Sequence, residues 1–119
     1  MHNYKELKVW QKAMDVVEET YKIQSNLPAD EKFNFSSQIT RCALSIPSNI
    51  AEGAGRTTPV EFKRFLDIAN GSSFELETQL ILIERLFEIE TENLTSQVKE
   101  VQKMIYSLKQ SIDRNVLAT

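Results

Sequence analysis

The sequence predicts an all-α protein, an antiparallel up-and-down four-helix bundle, and three observations lead to this fold class. Along four segments, apolar residues recur at alternating steps of three and four, the spacing of one face of an α-helix. No segment shows the alternation typical of a β-strand. Short connections between helices of roughly 20 to 30 residues favour antiparallel neighbours. The 119 residues are expected to form a single domain, 1–119.

The first predicted helix runs from about Tyr4 to Ser25. It ends before Pro28, because the residue preceding a proline is disfavoured in helical conformation. Its core-facing side is expected to consist of Leu7, Trp10, Met14, Val17 and Tyr21.

The second predicted helix runs from about Ala29 to Ala54 and contains Pro47. The apolar phase continues across this proline, so the sequence predicts a kink at Pro47 and not a break. Gly53 and Gly55 are expected to stop the helix. The predicted core residues are Phe35, Ile39, Cys42, Ala43, Ile46, Ile50 and Ala54.

The third predicted helix begins with a capping box, in which Thr58 is the N-cap, Pro59 the first helical residue and Glu61 the third. It continues to about Glu88, and Gly71 within it is expected to permit a close helix approach. The predicted core residues are Phe62, Leu66, Ala69, Ser73, Leu76, Leu80, Ile83 and Phe87.

The fourth predicted helix is capped by Thr91 or Asn93 and ends near Asn115. Its apolar residues keep the helical spacing without error. They are Leu94, Val98, Val101, Ile105, Leu108 and Ile112.

Two helices carry a second apolar stripe, which a monomeric bundle does not need. One reading is scattered surface residues, which are common. The regular spacing favours the other reading, a face where copies of the chain associate. The residues of this candidate oligomer face are Val9, Val16, Ile23, Leu82 and Leu86.

A polar strip on the second helix is the most specific candidate site. Its members, spaced to lie in one line beside the apolar face, are Arg41, Ser45, Asn49, Glu52 and Arg56. One interpretation is a binding site for a polar or phosphate-bearing partner. The other is an interface strip, partly buried at a bundle edge or subunit contact.

The turn at 53–58, which leads into a helix N-terminus, is likewise either an anion site or an ordinary capped turn.

Composition and charge exclude several classes of function. A single histidine, His2, and a single cysteine, Cys42, exclude His-pair and Cys-cluster metal sites, so we expect no metal, no cofactor and no enzyme activity. The net charge of −3 argues against general electrostatic binding to nucleic acid. Without an apolar leader or a run of roughly 20 apolar residues, we expect a cytoplasmic protein with no membrane contact.

Four runs of the sequence match the motifs of a known family: LKVWQKA at 7–13, QITRCALSIPSNIAEG at 38–53, FLDIANGS at 65–72 and ELETQL at 75–80. With these runs the chain resembles the four helix bundle or 23S rRNA-intervening sequence proteins. The resemblance implies a small bacterial helical bundle of unsettled molecular role that assembles into a ring-like homopentamer. It also implies kinship with the accessory protein of diversity-generating retroelements, which binds a reverse transcriptase and RNA through a basic surface.

The charge of the third helix differs from that basic branch, since residues 56–90 hold four basic and seven acidic side chains. The sequence therefore favours a non-enzymatic oligomeric scaffold or adaptor, whose partner is first of all another copy of itself. The alternative is a nucleic-acid-binding accessory protein with an RNA or reverse-transcriptase partner. A helical ribonuclease is disfavoured, because such enzymes need a histidine shortly after an arginine and none follows here.

Overall fold

The computed structural model describes residues 2–118, and over this range it contains four α-helices and no strand. The helices are α1 (Lys8–Gln24), α2 (Ser37–Ala54), α3 (Pro59–Phe87) and α4 (Glu92–Ala118). The predicted all-α class with four helices is confirmed. The molecule is elongated, with extents of 53 × 21 × 20 Å and a radius of gyration of 15.2 Å. A compact domain of this length would have a radius of about 13–14 Å.

The start of α1 differs from the prediction. Residues Tyr4–Glu6 form a separate 3-10 turn, in which the Asn3 side chain accepts the N–H of Lys5 at 3.3 Å. Leu7 is extended, with φ −71° and ψ 124°, so the α-helix begins only at Lys8.

The segment leading into α2 is also more irregular than predicted. It consists of a 3-10 turn at Ala29–Glu31 and a π-helical turn at Lys32–Ser36. Asn34 in the π turn has non-helical angles, φ −124° and ψ −105°. A π turn holds one residue more than an α turn, and here Phe35 packs edge-on against Phe87 with ring centroids 5.8 Å apart.

The α2 helix continues through Pro47, so the proline does not end it.

Gly53 does not stop the helix as predicted, because it is buried inside α2 against α3. A Cβ atom built on Gly53 would lie 2.7 Å from the Cβ of Phe65. Gly53 thus permits a close approach of α2 and α3. The close approach predicted at Gly71 is wrong for the single chain, since a Cβ there would meet nothing within 4 Å.

Both ends of α3 follow from local chemistry. The Thr58 hydroxyl accepts the N–H of Glu61 at 3.2 Å and Pro59 opens the helix, as predicted. Glu88 takes the left-handed conformation, with φ 56°, and ends the helix at Phe87. Thr91 before α4 is buried, and its N–H donates to the Glu84 carboxylate at 3.2 Å.

The core contains the apolar residues predicted for α2, α3 and α4. All of them are buried except Phe35, Phe87 and Leu108, which are partly buried and pack against the core. None of the helices in the described part of the chain is long and apolar enough to cross a membrane.

The predicted orientation of α1 is wrong. Its buried residues are Val9, Ala13, Val16 and Thr20. Met14 and Tyr21, predicted for the core, are 41% and 45% exposed. Two stripes of α1 carry apolar residues. The stripe with the smaller side chains packs against the other helices, and the bulkier residues of α1 lie at the edges of this contact.

This packing corrects the candidate oligomer face at two of its five residues, Val9 and Val16. Val9 and Val16 are buried in the chain's own core, and Ile23 is partly buried against it. Val9 and Val16 therefore present no free surface to a second copy, and a subunit contact of the partly exposed part of Ile23 stays a prediction.

Candidate functional site

The polar strip of α2 lies along the contact with α3, and its central residues join the two helices. The hydroxyls of Ser45 and Ser72 lie 2.8 Å apart. The Asn49 amide donates to the Ser45 carbonyl at 2.8 Å and to the Ser45 hydroxyl at 2.9 Å. Ser45 and Asn49 are partly buried. These two residues of the strip therefore hydrogen-bond within the chain.

The charged residues of the strip are exposed in the single chain. Arg56 forms an ion pair with Glu52 at 3.2 Å, and its guanidinium lies 4.8 Å from the centre of the Phe65 ring. Arg41 forms no ion pair with a carboxylate of the described residues. Partial burial of these three side chains is not found within one chain, and their burial at a subunit contact stays a prediction.

Cys42 faces α3 immediately beside the strip. Its thiol donates to the Glu75 carboxylate at a distance of 3.3 Å. Burial of the thiol, and then the hydrogen bond and charge of Glu75, raise the pKa of Cys42 from 9.0 to about 11. The thiol is therefore protonated at neutral pH and is a poor nucleophile.

The exposed face of α3 carries several large apolar side chains that no other part of the described chain covers. Leu82 and Leu86, the α3 members of the candidate oligomer face, are 40% and 61% exposed. Gly71 lies in open space on the same helix. Further exposed apolar side chains of α3 are Val60, Ile68, Phe74 and Ile81. The exposure of Leu82 and Leu86 leaves them available to a partner, and their place in a subunit contact stays a prediction.

The turn at 53–58 borders a cavity of about 280 Å³ at one end of the molecule. The His2 ring packs on Phe62 with centroids 5.0 Å apart, and the backbone N–H of His2 donates to the Ala54 carbonyl at 2.9 Å. The Thr58 hydroxyl already takes one free N–H of the α3 N-terminus. The turn is thus a capped turn, and the histidine serves packing.

The acidic side chains of α3 also have structural contacts. Glu77 accepts the side-chain amide of Gln102 at 3.0 Å and lies 3.9 Å from the Lys99 ammonium. Within the described residues, no three His, Cys, Asp or Glu side chains come together as a metal site would require.

Two features of the molecule were not predicted from the sequence. The Cys42–Glu75 hydrogen bond joins residues far apart in the chain, so no local sequence pattern predicts it. A groove between α1 and α4 depends on the same tertiary packing.

These observations define a class of protein: a four-helix, all-α chain in which several polar side chains join neighbouring helices and α3 exposes apolar surface. The family model of the 23S rRNA-intervening sequence protein matches residues 5–107, and the chain belongs to this family.

A solved structure is similar over most of the chain. It is the crystal structure of a protein of unknown function from the S23 ribosomal protein family of Bacteroides thetaiotaomicron, with a TM-score of 0.76 and 27% sequence identity. The similarity covers 85% of this chain and 97% of that chain. The comparison with curated proteins finds no match.

Proposed function

We propose that this protein is a non-enzymatic, oligomeric scaffold or adaptor whose copies associate through the exposed apolar face of α3. The observation that carries this proposal is the set of large apolar side chains that one copy leaves in water, above all Leu82 and Leu86. Clustered apolar surface of this kind marks interaction sites. A ring-like homopentamer is the proposed stoichiometry, because the family resemblance implies it.

The proposal includes an antiparallel up-and-down bundle with α2 kinked at Pro47. Cross-helix pairs support the antiparallel order, since Cys42 meets Glu75 whereas the later Ser45 meets the earlier Ser72. Pairs between α3 and α4 run in the same sense, with Lys63 on Asp113, Asp67 on Lys109 and Glu77 on Lys99. The kink is supported by the missing N–H of Pro47 inside a continuous helix.

A role without catalysis is supported by the state of the polar groups. Ser45, Asn49 and Ser72 hydrogen-bond to protein, and the Cys42 thiol is held protonated. A nucleophile needs the opposite, a lowered pKa or an adjacent base. The free cysteine also suits a reducing compartment, and the proposal therefore includes a cytoplasmic location.

Light scattering tests the oligomer directly. The wild type is expected to have a mass several times 13.7 kDa. The double variant Leu82→Lys/Leu86→Lys should reduce this mass while helical circular dichroism stays unchanged, because a subunit contact would have to bury two charges. A matched control is Leu44→Lys/Tyr106→Lys, which adds the same charge at exposed residues of α2 and α4, outside the α3 face. A monomeric wild type at micromolar concentration contradicts the proposal.

The second candidate function is a nucleic-acid-binding accessory role with RNA or a reverse transcriptase as partner. The observation that favours it is Arg41, which is exposed and has no carboxylate partner among the described residues. An exposed guanidinium is well suited to a phosphate. The acidic character of the whole chain favours the first proposal.

A further inference from the structure

A groove between the start of α1 and the middle of α4 takes no part in the features described so far. Its volume is about 330 Å³. Leu7, Met104 and Leu108 line it and are only partly buried, so they leave apolar surface in contact with water. Lys8 and Lys103 also line the groove, and both are exposed.

The positive charges of the two lysines are not paired with a carboxylate among the described residues. Neither Lys8 nor Lys103 forms an ion pair with a carboxylate of the described residues. Glu100 is the carboxylate that lines the groove, and it lies 3.4 Å from the ammonium of Lys12. In a protein of net charge −3, the groove thus combines an apolar floor with two free cations.

We propose that this groove binds an acidic amphipathic segment of another protein. Apolar side chains of the segment enter the groove between Leu7 and Met104, and its carboxylates lie against Lys8 and Lys103. A helix with leucine or phenylalanine one turn apart and flanking aspartate or glutamate has this chemistry. The inference rests on the proposed adaptor function, for which it names the class of partner.

The apolar floor decides between a protein segment and RNA. Phosphates would pair with the two lysines but would leave Leu7, Met104 and Leu108 exposed to water. An amphipathic peptide uses both parts of the groove, because burial of its apolar side chains adds to the charge attraction.

A selection from a displayed library of random peptides tests the proposal without assuming a sequence. The full-length protein is the target, and Lys8→Glu/Lys103→Glu is the counter-selection target. We expect the enriched peptides to combine leucine or phenylalanine with aspartate or glutamate. Their binding, measured by fluorescence anisotropy, should weaken about tenfold or more in Lys8→Glu/Lys103→Glu, since two attractive charges become repulsive.

Two further variants keep the result interpretable. Lys32→Glu/Arg85→Glu makes the same change of charge at exposed cations outside the groove lining, and binding should stay within about twofold of the wild type. Met104→Asp should weaken binding although it leaves both lysines in place, because the apolar floor is lost. Circular dichroism confirms that each variant is folded.

Several results would overturn the proposal. One is the absence of any enriched peptide whose binding depends on Lys8 and Lys103. Another is single-stranded RNA binding that the Lys8→Glu/Lys103→Glu change abolishes, which would make the groove a nucleic-acid site. A fall in the mass of the oligomer in that variant would show that a second copy covers the groove. Repeating the peptide titration on Leu82→Lys/Leu86→Lys separates this proposal from the one on α3 association.

Discussion

Gly53 and Gly71 are both interior glycines of helices, but their surroundings give the same substitution opposite effects. In Gly53→Ala the new Cβ would lie 2.7 Å from that of Phe65, and relief of this contact should cost about 1–3 kcal/mol of stability. Gly71→Ala meets nothing within 4 Å and should stabilise α3 by about 0.5–1 kcal/mol. Urea unfolding at one protein concentration measures both values. Equal stability of the two variants would contradict the assigned role of Gly53.

Cys42 is expected to make stability fall at alkaline pH. The pKa of the Cys42 thiol is about 11 in the folded state, above its ordinary value of 9.0, so the thiol stays neutral in the native state while the unfolded state ionises. This contribution to stability is complete below pH 9 and is lost between about pH 9 and 11, up to about 3 kcal/mol. Unfolding curves of wild type and Cys42→Ala across this range isolate the effect, because other titrating groups are common to both. Parallel pH profiles would show that the thiol is not held neutral.

At the scale of single elements, Pro47 lies inside α2 but has no N–H to donate to the Ala43 carbonyl. Pro47→Ala should restore the hydrogen bond to the Ala43 carbonyl, worth up to about 3 kcal/mol, less about 1 kcal/mol for lost packing of the buried ring. The variant should therefore be more stable, and a crystal structure should show a straighter α2 with the Ser45–Ser72 contact disturbed. Pro28→Ala, outside the α-helices, is the control and should change stability by less than about 1 kcal/mol. An unchanged course of α2 in the variant would mean that Pro47 does not kink it.

The orientation of α1 can be tested at two neighbouring residues. Val16→Glu places a carboxylate where the side chain is fully buried, and should unfold the chain or cost about 4 kcal/mol or more. Met14→Glu, at a residue 41% exposed, should cost less than about 1 kcal/mol. Thermal unfolding compares the two. A folded Val16→Glu with reduced oligomer mass would restore the sequence-based assignment of this stripe to a subunit contact.

For the whole molecule, the net charge of −3 limits binding to nucleic acid. Binding to generic single-stranded or duplex RNA should be weak and should vanish by physiological salt, because few phosphates are neutralised. Electrophoretic and anisotropy titrations at two salt concentrations check this. Submicromolar, salt-resistant binding that is lost in Arg41→Ala or Arg56→Ala would favour the accessory role instead.

The fold was predictable because its determinants are local. Helical spacing of apolar residues identified the buried sides of α2, α3 and α4, and Thr58-Pro59 identified the start of α3. Helix ends were less predictable, since the extended Leu7 and the π turn before α2 depend on how the neighbouring segments pack.

The polar strip was predictable as a line of residues but not as a set of contacts. Spacing alone placed Ser45, Asn49 and Glu52 on one side of α2. The Ser45–Ser72 and Cys42–Glu75 contacts depend on the register between α2 and α3, which Gly53 allows by bringing the two helices close.

The sequence by itself determined that the chain is helical, where its helices lie and which side three of them bury, because these properties follow from the period of the backbone. Only the tertiary structure decided which stripe of α1 is buried. Both stripes have helical period, and the choice depends on the space the other helices leave, which suits Ala13 and Val16 but not Tyr21. The groove beside Lys8 and Lys103 arises from that same choice, since it lies where α1 and α4 meet.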